Sequence, residues 1–164
     1  MFRPTRSLAL LLAALVATPA NAEPVTPAAR AFEQLKALAG VWQNAEAPNG
    51  ALRVHFTVTA AGSTVIEEWR AGEAPHSATI YHLDGDHLLA THYCPQGNQP
   101  RLASSAQEPL TFSFQDVTDL DPGEAHASHL ALALEADRLV RRERYTLDGE
   151  AQEWSELVLQ RVVE

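Results

Sequence analysis

Downstream of Gly40 the chain is a succession of short runs in which apolar and polar residues alternate. In "LRVHFTV", Leu52, Val54, Phe56 and Val58 alternate with Arg53, His55 and Thr57. That is the period of a strand with one buried and one wet face. "TVIEEWR", "SATIYHL", "HLLATHY", "LTFSF", "HLALALE", "DRLVRRERYTL" and "EWSELVLQRVV" continue the pattern. Tight-turn signals separate them: "AAGS", Asp84-Gly85, "DLDPGE" and Asp148-Gly149. Asp-Gly between two alternating runs favours a two-residue hairpin. The runs add up to about nine or ten strands, and their short connections make neighbours antiparallel. So long a meander has edges to hide, and closing into an up-and-down barrel removes them. The expected fold class is therefore mainly β, an antiparallel up-and-down barrel of about nine or ten strands.

Upstream of this, "AARAFEQLKALAG" places Phe32, Leu35 and Leu38 at helical spacing, with Gly40 as a stop. One short N-terminal helix is expected, lying on the barrel as a cap. Residues 23–27 read as a linker, and 28–164 as a single domain. Residues 1–22 have the form of a cleaved secretory signal: Arg3 and Arg6, an apolar run from Leu8 to Ala17, then Ala20-Asn21-Ala22. The apolar run is too short to span a bilayer stably. The expectation is a periplasmic or secreted protein without membrane insertion.

The leader would take two of the 12 basic residues and none of the 21 acidic ones, leaving a net charge of −11. Such a surface repels nucleic acid and anionic membranes. A lone cysteine, Cys94, cannot staple the domain internally, so burial must hold it together.

The order of a short helix, "LAGVW" and a strand meander resembles the calycin-type barrels, which include lipocalins. Lipocalins carry Gly-x-Trp where the first strand begins, as Gly40-Val41-Trp42 does here. The resemblance implies that an arginine of a late strand packs across that tryptophan, and Arg161 has the matching position. "LAGVW", "GSTVIEEW", "IYHLDGDHLLATHYCPQGNQPR" and "TFSFQDVTDLD" are similar to a group of bacterial lipocalin-like proteins with a Thr-His-Tyr-Cys…Gly-Asn-Gln-Pro core. That group has no settled activity, so the likeness implies a fold and not a chemistry. The Arg-x-Tyr pair of fatty-acid-binding proteins is absent from "RRERYTL". The Gly-rich turn and late histidine of nitrobindin-like proteins are absent as well, so no cofactor is expected.

Candidate site residues cluster around "YHLDGDHLLATHYCPQGNQP". Residues two apart on a strand share a face, so His92 and Cys94 point the same way. A loop of Asp84-Gly85 would add Tyr81 to that face, whereas a three-residue loop would add His82. Glu67 and Trp69 share parity with Val65 and are expected to face inward. A buried carboxylate needs a partner, and Arg101, Arg142 and Arg144 are candidates. Otherwise Arg138, Arg141, Arg142 and Arg144 read as a solvated basic strand. Asn98 and Gln99 stabilise the loop after Pro95 and could touch a ligand.

The candidate ligand-binding set is thus Glu67, Trp69, Tyr81, His92, Cys94, Asn98, Gln99 and Arg101, with no catalytic or metal residues assigned. The expected function is binding of a small, partly apolar molecule inside the barrel, by a monomer or weak homodimer. Two alternatives use the same stretch. One is acid–base catalysis by His92 and Glu67, in a hydrolase- or isomerase-like enzyme. The other is metal handling by His92 and Cys94.

Overall fold

The computed structural model describes residues 25–163 except Pro109 and Ala136. The expected leader at 1–22 and the start of the 23–27 linker lie outside the described residues. Helix α1 spans Pro27–Ala37. The Thr26 hydroxyl caps it by accepting from the Ala29 N–H at 3.1 Å. Pro27 belongs to the helix and not to the linker, because the first helical position needs no N–H partner. Phe32, Leu35 and Leu38 are buried, as the helical spacing requires.

Among the described residues eleven strands follow: β1 (Gly40–Asn44), β2 (Leu52–Thr59), β3 (Thr64–Ala71), β4 (Ala74–Asp84), β5 (His87–Tyr93), β6 (Gln99–Ser104), β7 (Thr111–Thr118), β8 (Ala125–Glu135), β9 (Arg138–Leu147), β10 (Glu150–Ala151) and β11 (Ser155–Arg161). Each strand from β1 to β8 pairs antiparallel with its successor. Then β9 pairs with β11, and β11 with β1, which closes a ten-strand barrel. The two-residue β10 only extends the β9 hairpin.

The two Asp-Gly turns differ. At Asp148-Gly149 both residues have positive φ, +51° and +81°, as a type I′ turn demands. In the other hairpin Asp84 pairs with His87, so the loop is Gly85-Asp86 and only Gly85 (φ +63°) is left-handed. The loop sits one residue later than the Asp-Gly signal implies. Side-chain parity survives, because both loops have two residues. Tyr81 faces Ala90, Thr79 faces His92, and all four share the inner face.

The helix marks the closed end. It leads into the start of β1 and packs on β2, β4 and β5. Trp42 Nε1–H donates to the Leu38 carbonyl at 2.8 Å. Across that ring lies the Arg161 guanidinium, 4.5 Å from the centroid, in the place implied by the lipocalin likeness. Arg161 also donates to the Ala39 and Ala37 carbonyls at 2.7 and 2.9 Å, satisfying the helix C-terminus. Gly40 makes room for this: its φ is +133°, and a Cβ there would stand 2.7 Å from Arg161 Nη1. Above this closure the lower barrel is filled by side chains such as Phe56, Val65, Leu88, Phe112, Leu139 and Leu159. Each contributes about 1.5–3 kcal/mol by leaving water.

Arg161→Ala should lower the unfolding free energy by about 1–2 kcal/mol, through lost stacking and helix capping. Gly40→Ala should cost about 1–3 kcal/mol, since it strains the backbone and displaces the same guanidinium. Urea denaturation of the two variants and the double variant checks this. In the double variant the losses should fall short of additive, because both act on one contact.

Candidate functional site

The upper barrel is built differently. Glu67 projects inward from the middle of β3 and is wholly buried, at 0% exposure. A bare carboxylate there would be costly, and three donors surround it. Trp69 Nε1–H and Arg141 Nε–H donate to Oε1, each at 2.8 Å, and the Tyr81 hydroxyl donates to Oε2. Arg141 is itself 4% exposed. Its Nη1–H donates to Glu143 Oε2 at 2.5 Å, and its guanidinium stacks on Trp69 at 4.8 Å. Burial alone would lower the Arg141 pKa. The carboxylates of Glu67 and Glu143 outweigh that and hold it above its ordinary value, so the group stays cationic. Burial, then the charge of Glu67, raises the Tyr81 pKa and keeps the phenol neutral.

Next to this cluster, His92 Nδ1 and the Thr79 hydroxyl lie 3.0 Å apart. His92 is 6% exposed, and its other ring nitrogen, Nε2, is buried without a partner. Burial, followed by the charge of Arg141, lowers the His92 pKa, so the ring is neutral at pH 7.

This cluster lies beneath a cavity of about 280 Å³ at the end of the barrel away from the helix. Trp69, His92, Cys94, Arg141, Glu143 and Tyr145 line it, with Ser77, His76, Pro95 and Gln96 at its rim. Another concavity, of about 520 Å³ beside Arg138, Arg142 and Glu156, lies on the outer face of β8, β9 and β11. That one is larger, but it touches none of the buried polar cluster.

The candidate set therefore divides. Trp69, His92 and Cys94 line the mouth cavity, while Glu67 and Tyr81 are wholly buried beneath it. Asn98 does not line the cavity. It is fully buried, and its Nδ2–H donates to Glu124 Oε2 and the Ala125 carbonyl at 3.1 and 3.2 Å. This ties the Pro95-Gln96 loop to the start of β8, so Asn98 positions the rim. Gln99 bonds Thr118 at 2.8 Å and the Gly97 carbonyl, outside the cavity. Arg101 is exposed and pairs with Asp116 on the outer surface.

The basic strand needs correction. Arg142 is exposed and pairs with Glu156, and Arg144 lies over Trp154 outside the barrel. Neither they nor Arg101 reach Glu67; Arg141 does. Arg141, Glu143 and Tyr145 share the parity of buried Leu139, and this parity was the available signal. Four arginines in seven residues hide it, because a run of charges reads as solvated. His76 is exposed and also forms part of the rim.

The chemical possibilities are correspondingly narrow. Glu67 does not line the cavity, and both its oxygens are engaged, so it shares no open space with His92. Among the described residues no group of three or more His, Cys, Asp or Glu is placed to hold a metal ion. No described helix is long and apolar enough to cross a membrane. No protein-family model matches the chain, and no curated protein matches it.

Two outcomes are expected. Arg141→Met leaves Glu67 buried beside no cation and should cost about 3–5 kcal/mol in urea denaturation, while adding Glu67→Gln should recover most of that. The second concerns pH. The folded His92 pKa lies below the ordinary value of about 6.5, so protonation favours the unfolded chain. The stabilising contribution of neutral His92 is complete above pH ~6.5 and declines as pH falls toward the folded value. His126 and His129 shift the same way through burial. The difference between wild type and His92→Gln therefore isolates the residue: the variant should lose less stability across that window.

Proposed function

We propose that this chain is an exported barrel that binds a small, partly apolar molecule in its mouth, in the manner of lipocalin-like proteins. The observation that carries the reading is an unfilled cavity of about 280 Å³ lined in part by His92, whose Nε2 is buried without a protein partner. A ring nitrogen withdrawn from water and offered no protein partner costs free energy, and a guest that supplied one would recover it. Trp69, Tyr145 and Pro95 supply apolar wall, and a few polar atoms beside such a wall fix a ligand's orientation. The volume corresponds to roughly nine waters at ~30 Å³ each, which sets a small upper size for the guest. The leader-like segment at 1–22 supports export. The proposed assembly is a monomer or weak homodimer.

The test uses protein recovered from its own cells. Native mass spectrometry should find a non-covalent adduct that disappears on denaturation. Ser77→Trp, which places an indole at the rim, should abolish the adduct while circular dichroism stays unchanged. An adduct that survives Ser77→Trp, or native protein that carries none and binds nothing from a fragment library, would count against the reading.

A further inference from the structure

Each of the three tryptophans carries an arginine on its ring. Trp42 and Trp69 belong to the core or pack against it. Trp154 lies outside the barrel and is 46% exposed. Its indole is nevertheless held in place. The Arg144 guanidinium lies 5.1 Å from the ring centroid, and the His129 ring meets it edge-on at 5.7 Å. An indole fixed at the surface and left partly bare is a platform for a guest with one apolar and one wet side. It lines a concavity of about 370 Å³ with Glu108, Thr111, Ala131 and Arg142. The concavity of about 520 Å³ on the outer face shares Thr111, Ala131 and Arg142 with it. The two are therefore one trough. The short side chains of Ala131 and Ala133 give it a floor on β8. It follows that strand from His129, beside Trp154, to Glu135, a run of about 20 Å at ~3.3 Å per residue.

The charges along the trough cancel. Glu108, Glu135 and Glu156 line it together with Arg138 and Arg142, and Arg144 lies over Trp154. Three carboxylates thus meet three guanidiniums, on a chain whose net charge is −9. Arg142 and Glu156 are joined directly at 2.5 Å. Such a surface selects neither an anion nor a cation, and a second copy of so acidic a chain is repelled. It is still rich in polar atoms, because a carboxylate only accepts and a guanidinium only donates, and each has more sites than one partner fills. We propose that the trough binds a neutral oligosaccharide, with one pyranose ring lying on Trp154 and the saccharide chain running along β8 toward Glu135. A pyranose ring has C–H groups on its faces and hydroxyls around its edge. The faces match the indole, and the hydroxyls donate to the carboxylates and accept from the guanidiniums. A compact guest would leave most of the trough empty, whereas an elongated one fills it. The site shares no residue with the mouth cavity, and the inference does not depend on the function proposed above.

The test titrates the intact wild-type protein with maltohexaose, cellohexaose and N-acetylchitohexaose, and with glucose and N-acetylglucosamine as single rings. At least one hexasaccharide should bind, at least tenfold tighter than its own single ring. Its addition should move the indole N–H signal of Trp154 and leave those of Trp42 and Trp69 in place. Trp154→Ala should weaken that hexasaccharide at least tenfold with an unchanged circular dichroism spectrum. Should that variant fail to fold, Ala133→Arg, which fills the floor, provides the second arm and should weaken it at least threefold. Ser77→Trp at the mouth should leave saccharide binding as it is. Binding of none of the three hexasaccharides overturns the assignment. So does binding that survives both trough variants, or that is lost in Ser77→Trp and so belongs to the mouth. Hexagalacturonate bound as tightly as the best neutral hexasaccharide overturns the neutral class of guest. Sedimentation showing a dimer that Trp154→Ala disperses would make the trough a contact between copies and overturn the proposal too. None of these results touches the mouth-cavity reading except loss in Ser77→Trp, which would support it.

Discussion

The buried pair of Glu67 and Arg141 is the constraint around which the upper barrel is arranged. The two residues are 74 positions apart in the chain and belong to strands that are not neighbours in the sheet. Their contact spans the interior and so fixes the width of the barrel at that level. Removing two charges from water is expensive, and the attraction between them repays it only when the leftover donors and acceptors are met. Here they are met by Trp69, Tyr81 and Glu143, each of which is thereby held in one rotamer. Below this layer the interior is apolar and filled. Above it there is unfilled space. The pair is the partition between a part of the molecule that gives stability and a part that is free to do something else.

The same device is used at both ends with different results. Arg161 stacks on Trp42 at 4.5 Å and Arg141 stacks on Trp69 at 4.8 Å. At the closed end the arginine remains exposed and gives its protons to the last carbonyls of α1, so it acts as a clasp. At the mouth the arginine is buried and gives its protons to carboxylates, so it acts as a floor. In both cases a planar guanidinium covers an indole while its edge makes directed hydrogen bonds, a combination that a lysine ammonium cannot reproduce.

Much of the fold was legible because it depends on a local rule. Alternation identifies strands, and Phe32, Leu35 and Leu38 identify the helix face. Gly40-Val41-Trp42 marks where the two meet. The inward direction of Glu67, Tyr81 and His92 also follows from parity. The partner of Glu67 was harder to read, since cross-barrel contacts depend on which residues reach the same height. That is set by register, and bulges at Trp69/Arg70, Arg101/Leu102 and Ala127/His129 shift the register. Within "RRERYTL" and its flanks the parity of Leu139 pointed at Arg141, but composition argued for solvent. Gln99 and Arg101 were misplaced for a related reason. They follow a loop whose anchoring by buried Asn98 to Glu124 and Ala125 is a long-range contact with no local signature.

The position of β11 bears on how such a molecule comes into being. It is the last of the described strands in chain order, yet it lies between β9 and β1, and it carries the clasp on Trp42. Until it is in place the sheet has two raw borders, and the first strand has half its backbone groups unmatched. Closure of the ring therefore depends on pairing the first and last described strands, β1 and β11. A shortened chain lacking its final ten residues would be an open ribbon prone to stacking with its neighbours, and not a weaker version of the same vessel.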